Sequence, residues 1–585
     1  MNRILIAVAA LVIACPLNAQ NLFTLLPSPL TKMANSQACW GDYDQDGDLD
    51  VVIAGETATS TAVTKLFRND AGVFTEAPST LPGVHYPSLD WADFDLDGDP
   101  DLLLTGLDSA GVPITRIIKS KYGNLTVTAL QLPGIYGGQA VWGDFDNDND
   151  PDILLAGIGT DGFFTARILR NDNGTAFTDI GAPLTGVQSA SVAWVDFNND
   201  GWLDASLNGD SGGGMVTKLY RNDHGTFTEV PFAFAGLGSG QIKWADLDND
   251  GDADMLECGM DINIDGHIYI YRNDGNEQFT MMDAVDNNLI SSSTDIGDYD
   301  NDGWMDFMVI GVVPGCGGSA VALLNRNMGG LNFFDVSTLI PGVKNGSVMW
   351  GDYNNDGWSD LLFTGFDSYN NYSSSIYRNL GGNDGFIVNT VPEAPAGPAS
   401  VPGSGQVTLS WSKASDGQTP VDGLFYNLRI GTGPDATDIL APLSDLTTGY
   451  PRIQSTGNMS HDTAVTINGL APGVYYWSVQ TLDNGYRGSL FSSPETFTIT
   501  ETATPEMTPA LQVYPNPVTD RLHVTLPGDG PAVVKIVNLT GQTVIESRVK
   551  GREVTLDVSC LPAGMYFLRL TGSRESSAIP VMVHR

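Results

Sequence analysis

Residues 40–55 read WGDYDQDGDLDVVIAG: an aromatic residue, a nine-residue loop of alternating acids, and a short apolar run closed by glycine. The loop Asp42-x-Asp44-x-Asp46-Gly47-Asp48-x-Asp50 returns six more times, starting at Asp93, Asp144, Asp196, Asp246, Asp298 and Asp352. Successive starts lie 51, 51, 52, 50, 52 and 54 residues apart. A period near fifty is the signature of a propeller or solenoid, in which each repeat is one supersecondary unit.

The loop is built almost entirely of hard oxygen donors. A divalent cation such as Ca²⁺ takes six to eight oxygens at about 2.3–2.6 Å, delivered by a tightly curled backbone. Position 1 is Asp42, Asp93, Asp144, Asp196, Asp246, Asp298 or Asp352, and position 3 is Asp44, Asp95, Asp146, Asn198, Asp248, Asp300 or Asn354. Position 5 is Asp46, Asp97, Asp148, Asp200, Asp250, Asp302 or Asp356. Position 7 offers a backbone carbonyl, from Asp48, Asp99, Asp150, Trp202, Asp252, Trp304 or Trp358. Position 9 closes the shell with Asp50, Asp101, Asp152, Asp204, Asp254, Asp306 or Asp360. Glycine at position 6 permits the turn, and Asn149 takes that place in the third copy. An EF-hand would put Glu at position 12 and helices on both flanks. Here both flanks read as strand. Acid-rich turns are often only solvated, but seven in register point to about seven bound Ca²⁺ ions, with loops four and seven weakened by Asn198 and Asn354.

Trp40, Trp91, Trp142, Trp194, Trp244 and Trp350 each stand two residues ahead of a loop, and Ile296 breaks the series. Behind the loops, runs such as VVIAG, LLLTG, ILLAG and FMVIG end at Gly55, Gly106, Gly157 and Gly311, and Gly209, Gly259 and Gly365 close the other three. Continuous apolar runs of this length suit strands covered on both faces. A third strand reads KLFRND, RILRND, KLYRND, IYIYRND or SIYRN, degenerate in the second repeat as RIIKSKYGNLTV, and a fourth follows a Gly-rich turn. Four short strands per repeat make a propeller blade, and closing seven blades removes exposed sheet edges. NLFTLLPS (21–28) is the candidate for the missing last strand, with Phe386 to Thr390 competing for the place.

These segments resemble the FG-GAP/VCBS repeat family, the type found in integrin α-subunit propellers and bacterial surface proteins. The resemblance covers residues 20–390 and implies a seven-bladed, calcium-binding propeller whose loops lie on the face opposite the ligand-binding one. The family includes adhesins, lectin-like binders and some polysaccharide lyases, so fold analogy does not give function.

VPEAPAGPAS (391–400) marks a domain boundary. Residues 391–500, with QVTLSWS, LFYNLRIG and INGLAPGVYYWSVQTLD, resemble a fibronectin type III sandwich, in which Tyr475 or Tyr476 would serve as the corner tyrosine. After a linker at 501–510, residues 511–585 resemble the type A sorting domain of the type IX secretion system. Tyr514-Pro515-Asn516-Pro517, Asn538-Leu539-Thr540-Gly541-Gln542 and Gly564-Met565-Tyr566 carry that resemblance. It implies recognition by the type IX machinery and passage through the periplasm to the surface of a Gram-negative bacterium or the medium, with loss of the tail. The whole is then all-β: a seven-bladed propeller followed by two β-sandwiches, joined by Pro-rich linkers that keep the three units independent.

The 585 residues carry 69 acids against 28 Lys and Arg, a formal charge of −41, and loop positions 1, 3, 5 and 9 hold 26 of those acids. Such a balance argues against nucleic acid as a partner. Residues 1–19 read as a secretory signal: a basic Arg3, an apolar stretch from Ile4 to Ala14, and cleavage after Ala19. Cys15 offers the alternative of lipid attachment, and no other segment is apolar enough to cross a membrane. Cys39, Cys258, Cys316 and Cys560 show no paired spacing, so neither disulfides nor zinc is indicated, and Cys258 reads as a buried thiol in a strand. No nucleophile elbow, HExxH or phosphate loop appears, and no catalytic residue is assigned. The sequence therefore reads as a surface binding or adhesion module for a glycan or protein ligand. A calcium-stabilised polysaccharide lyase and a purely structural surface component are the alternatives.

Overall fold

The computed structural model describes residues 22–97, 99–121, 123–148, 150–283, 289–314, 318–381, 389–440, 442, 444–450, 457–459, 461–500, 512–526, 531–538, 542–571 and 578–584. The signal segment, Cys15, Asn149, Cys316 and the 501–510 linker lie outside the described residues. Among the described residues there is no α-helix, only strands and one 3₁₀ turn at Val421–Gly423. Among the described residues no helix is long and apolar enough to cross a membrane. The chain divides into two compact units, residues 1–499 and 500–585.

The first unit contains seven small antiparallel sheets, one per acidic loop. In the first, Ala34–Gly41, Asp50–Glu56, Ala62–Asp70 and Val73–Ala77 pair in sequence order. The second and third repeats follow the same order and are joined at their edges by one pairing, Ile135 with Ile114. The fourth, fifth and sixth repeats each give a separate four-stranded sheet. The last sheet takes three strands from its own repeat and its fourth, Phe23–Leu26, from the N-terminal end of the chain. Phe23 lies opposite Asn379 and Leu26 opposite Ile376, so the N-terminal strand completes that sheet, while Phe386 to Val388 of the competing segment lie outside the described residues. Strand two of every sheet is buried along six consecutive residues. Burial on both faces is what a continuous apolar run requires.

Two series of hydrogen bonds tie each sheet to the next. The N–H groups of Leu89, Ala140, Val192, Ile242, Thr294 and Val348 donate to Gln37, Ser88, Gln139, Ser191, Gln241 and Ser293 of the preceding sheet, at 2.8–3.3 Å. The seventh member runs from Ala38 N of the first sheet to Ser347 Oγ of the last, at 3.0 Å. The second series comes from strand three. Asn171, Asn222, Asn273, Asn327 and Asn379 donate from Nδ2, and Ser120 from Oγ, to the carbonyl at position 2 of the preceding loop. Here too the first sheet reaches the last, with Asn69 Nδ2 donating to Tyr353 O at 2.8 Å.

The tryptophans wedge between sheets. Trp40, Trp142 and Trp194 stack on Tyr353, Phe94 and Phe145 of the preceding loop, at ring separations of 6.1–6.4 Å. Indoles also cover the glycines before those loops: a Cβ on Gly41 would stand 2.6 Å from Trp91 Nε1, and one on Gly351 2.8 Å from Trp40. Small residues at these points let the sheets approach closely.

Residues 396–499 form two three-stranded sheets. Ala396–Pro402, Val407–Ser412 and Ala464–Ile467 face Phe425–Gly431, Gly473–Leu482 and Glu495–Ile499 across a core with Trp411 and Trp477 at its centre. Tyr475, not Tyr476, makes the corner: its hydroxyl donates to Ala471 O at 2.8 Å. One expectation needs correction. The Pro/Ala/Gly segment 391–400 is not a spacer between independent units, because part of it becomes the first strand of this sandwich and the sandwich packs against the repeats. Phe425, Leu482 and Tyr486 share one apolar cluster with Ala245, Leu247, Met305 and Phe307 of the repeat sheets. Burying three such side chains contributes on the order of 2 kcal/mol each, which overrides the tendency of a Pro-rich linker to stay solvated.

The second unit pairs a three-stranded and a four-stranded sheet around Leu522, Val534, Leu568 and Val581. Its sequence motifs have local jobs. Asn516 donates to Pro580 O and accepts from Met582 N, both at 2.8 Å, pinning the last strand. Tyr566 repeats the corner bond by donating to Pro562 O at 3.0 Å. In the second motif Asn538 and Gln542 bond to each other, Asn538 N donating to Gln542 O and Gln542 N to Asn538 Oδ1, both at 3.0 Å, while Leu539 to Gly541 lie outside the described residues.

Candidate functional site: the acidic loops

Each loop is first organised by its own carboxylates. In all seven, the position 5 Asp accepts from the N–H at position 7, as Asp46 does from Asp48 at 3.0 Å. The position 1 Asp accepts from position 5 in loops two to seven, as Asp246 does from Asp250, and from the position 6 glycine in loops one and four to seven. Position 4 takes a left-handed backbone in every copy, with φ between 54° and 60°. Gly47, Gly201, Gly251, Gly303 and Gly357 take φ of 82–98° at position 6. Gly98 and Asn149 at that position lie outside the described residues.

The position 9 Asp is the anchor. Asp50, Asp101, Asp152, Asp204, Asp254, Asp306 and Asp360 are all 0–1 % exposed. Each accepts the backbone N–H of the strand-three Asn (Ser120 in the second sheet) at 2.6–2.8 Å. Its other oxygen takes the position 2 N–H in five loops, as Asp50 does from Tyr43. The Asn of the RND strand thus holds its own loop through its backbone and the preceding loop through its side chain.

In five loops the carboxylates converge so that their oxygens lie within 4.8 Å of one another and could hold a metal ion. These are Asp42, Asp44 and Asp50; Asp93, Asp95 and Asp101; Asp144, Asp146 and Asp152; Asp246, Asp248 and Asp250; Asp298, Asp300 and Asp302. Among the described residues, loops four and seven form no such cluster of three acids. Asn198 Nδ2 donates to Asp200 Oδ2 at 2.9 Å, and Asn354 Nδ2 points at Asp360 Oδ2 from 3.5 Å. At position 7, Asp48 and Asp150 accept from Ala71 N and Asn173 N of the neighbouring hairpin at 2.7 and 2.8 Å.

Burial and mutual repulsion act on these acids together. Burial, opposed by the N–H from Asn69 and reinforced by Asp44 and Asp42, pushes Asp50 up to about 9. Asp101 is pushed to about 8, Asp152 to about 9 and Asp254 to about 8 for the same reasons. Asp298 and Asp306 stand well above the ordinary carboxylate range through burial and through Asp300 and Asp302. Carboxylates in this state need a counter-charge. Buried oxygens with no hydrogen-bond partner, among them Asp44 Oδ1, Asp95 Oδ1, Asp101 Oδ2, Asp146 Oδ1 and Asp248 Oδ1, show that the proteinaceous donors do not suffice. An all-oxygen donor set of this kind fits a hard divalent cation.

Sequence reasoning missed three contributors. The basic residue of the RND strand reaches the loop: Arg326 pairs with Asp300 and Asp302 at 2.6 and 2.9 Å, Lys119 with Asp95 and Asp97, and Arg378 with Asp356 at 2.9 Å. Position 4 links neighbours: Asn147, Asn199, Asn249 and Asn301 donate to the position 6 carbonyl of the next loop, and Asn355 donates to Gly47 O of the first. The recurrence of Arg-Asn-Asp and of Asn at position 4 within this one chain was the available signal. The third contributor is the sandwich, which bonds to loops five and six through Asn484 and Asn389 and left no local mark in the sequence.

Three segments, residues 42–104, 144–207 and 298–363, match the model of the FG-GAP-like repeat, and residues 512–583 match the secretion system C-terminal sorting domain. Comparison with curated proteins finds no match. Among solved structures, the chain is similar to the extracellular domain of BT3049 from B. thetaiotaomicron, at 13 % identity and TM-score 0.37, covering 83 % of this chain and 58 % of that one. The chain thus spans under two thirds of that protein's length. It is also similar to the BP39L lectin from Burkholderia pseudomallei, at 9 % identity and TM-score 0.39, covering 60 % of this chain and 98 % of that one. A third is the extracellular domain of BT4673 from B. thetaiotaomicron, at 11 % identity and TM-score 0.26, covering 97 % and 99 %. The chain carries FG-GAP-like repeats and a type IX sorting tail, and the tail marks it for export to the surface of a Gram-negative cell or beyond.

Proposed function

We propose that the seven sheets are the blades of a closed β-propeller, stabilised by about seven Ca²⁺ ions, that displays a ligand-binding face outside the cell. Support for closure comes from the bonds Ala38 to Ser347 and Asn69 to Tyr353, which join the first sheet to the last. Support for calcium comes from the partnerless carboxylate oxygens and the all-oxygen donor set. The 391–500 sandwich, of fibronectin type III kind, serves as a brace rather than a binding domain.

The observation that carries the binding role is the asymmetry between the two ends of the sheets. Acidic loops and strand-three hairpins share one end, and part of it is covered by the sandwich. The opposite end carries the hairpins between strands two and three, which expose Tyr369 (87 %), Phe163 (73 %) and Ile262 (68 %). Exposed aromatic rings with polar neighbours suit stacking on sugar rings or apolar anchors of a protein. Glycan-array binding by the mature chain tests this, with Phe163→Ala/Tyr369→Ala as the control. Binding lost at least tenfold in the double variant, with calcium content unchanged, is the expected result. Binding unaffected by the double variant places the ligand elsewhere.

A further inference from the structure

The sandwich meets the repeats at the acidic loops themselves. Asn484, 1 % exposed, donates from Nδ2 to the carbonyl of Asp246, the first residue of loop five, at 2.6 Å, and also contacts Asn249 of that loop. Its Oδ1 has no hydrogen-bond partner. Beside it, Gly485 closes on loop six: a Cβ there would stand 2.8 Å from Asp298 Oδ2 and 3.3 Å from Gly303 Cα. Gly485 needs no left-handed backbone, so space against the first acid of loop six is what demands glycine. Asn389, at the base of the sandwich, donates its N–H to Asn301 O of loop six and its Nδ2 to Asp483, at 2.9 and 2.6 Å. Gly423 also faces loop five, where an added Cβ would stand 3.5 Å from Asp246 Oδ2.

We infer that the sandwich is a lock on loops five and six. A cation in these two loops and the docked 481–487 turn stabilise each other, so the sandwich slows metal release and metal loss loosens the sandwich. The physical basis is that the position 1 residues are shared: Asp246 and Asp298 each give a carboxylate to a cluster, while the Asp246 carbonyl accepts from Asn484 and Asp298 Oδ2 stands against Gly485. A cation held by Asp298, Asp300 and Asp302 fixes the carboxylate against which Gly485 is fitted, and its loss frees that carboxylate to move. Asn484 and Gly485 are positioning residues and need touch no metal. This inference rests on the reading that the loops bind calcium.

The test uses the full chain loaded with calcium and mixed with excess chelator, reading release rates and hydrogen exchange of residues 478–488. Two of the bound ions should leave at least tenfold more slowly than the others, and exchange at 478–488 should rise once they have gone. Gly485→Ala and the milder Asn484→Ala should remove the slow phase while the melting transition remains cooperative. Should Gly485→Ala fail to fold, Asn484→Ala carries the same comparison. A single release phase in the parent chain, a slow phase retained in folded Asn484→Ala, or unchanged protection at 478–488 after chelation overturns the lock alone. A chain that takes up no calcium overturns the calcium reading with it.

Discussion

Ser347 Oγ accepts the N–H of Ala38 at 3.0 Å, joining residues 309 apart in the chain and linking the seventh sheet to the first. Asn69 repeats the link on another strand, donating to Tyr353 O at 2.8 Å and to Leu49 O at 3.0 Å. Both are buried. Removing a buried donor leaves carbonyls without partners, at about 1–3 kcal/mol. Asn69→Ala should therefore destabilise the first unit by about 2 kcal/mol in denaturant titration, and Ser347→Ala by about 1 kcal/mol. A loss under a few tenths for Asn69→Ala would show that these contacts do not hold the sheets together.

Calcium uptake should release protons. Without metal, Asp50 and Asp152 are held at about 9 and Asp101 and Asp254 at about 8, so near pH 7 they keep protons that a bound cation must displace. Apparent affinity should rise with pH from 6 to 9 and then level off. Titration calorimetry in buffers of different ionisation enthalpy measures the protons directly. Identical heats in all buffers at pH 7 would contradict the assignment.

Loops four and seven should be the weakest sites, since Asn198 and Asn354 remove a charge and direct amide donors into the cluster. Asn198→Asp should raise occupancy of loop four at limiting calcium toward that of its neighbours. Site-resolved occupancy by anomalous scattering from crystals grown at low calcium reads this out.

Glu257 stands where the other sheets have Ile53, Leu104, Leu155, Leu207, Val309 and Phe363, all in the second strand. It is fully buried, accepting from Asn208 Nδ2 at 3.1 Å and from Thr217 Oγ. Burial, opposed by those two donors, pushes it up to about 7. A raised carboxyl value means the folded chain holds the proton longer than the unfolded one. Stability is then fully retained below about pH 4.5 and is lost as pH climbs toward 7. Glu257→Gln should be more stable than the parent at pH 8, by up to about 3 kcal/mol, with the gap closing by pH 4. Equal stability at pH 8 would show the acid is ionised at no cost.

Deleting residues 511–585 should leave a folded chain in the periplasm, because the first unit keeps its core without the tail. Cell fractionation and mass spectrometry of the surface and medium give the answer. Export of the shortened chain would remove the sorting role.

Much of this architecture could be read along the chain because the repeats are local. An acidic loop, the tryptophan before it and the apolar strand after it lie within about sixteen residues, so their spacing alone specifies a turn between two strands. The tail's motifs were legible for the same reason, each being a short turn or strand end such as Asn516 against the last strand. Corner tyrosines sat at the edge of legibility: two adjacent tyrosines fit the pattern, and only packing chose Tyr475, whose ring is buried against Phe497.

What sequence alone determined was what has a period: the number of repeats and the strand order within a sheet. Tertiary structure decided what joins parts distant in sequence. It chose Phe23–Leu26 as the last strand of the seventh sheet, sent each strand-three Asn to the preceding loop, and laid the sandwich over loops five and six. Those contacts depend on which surfaces meet after each sheet has formed. A Pro-rich run such as 391–400 reads as a spacer until Phe425, Leu482 and Tyr486 find apolar ground to bury against, and that ground exists only once the repeats have folded.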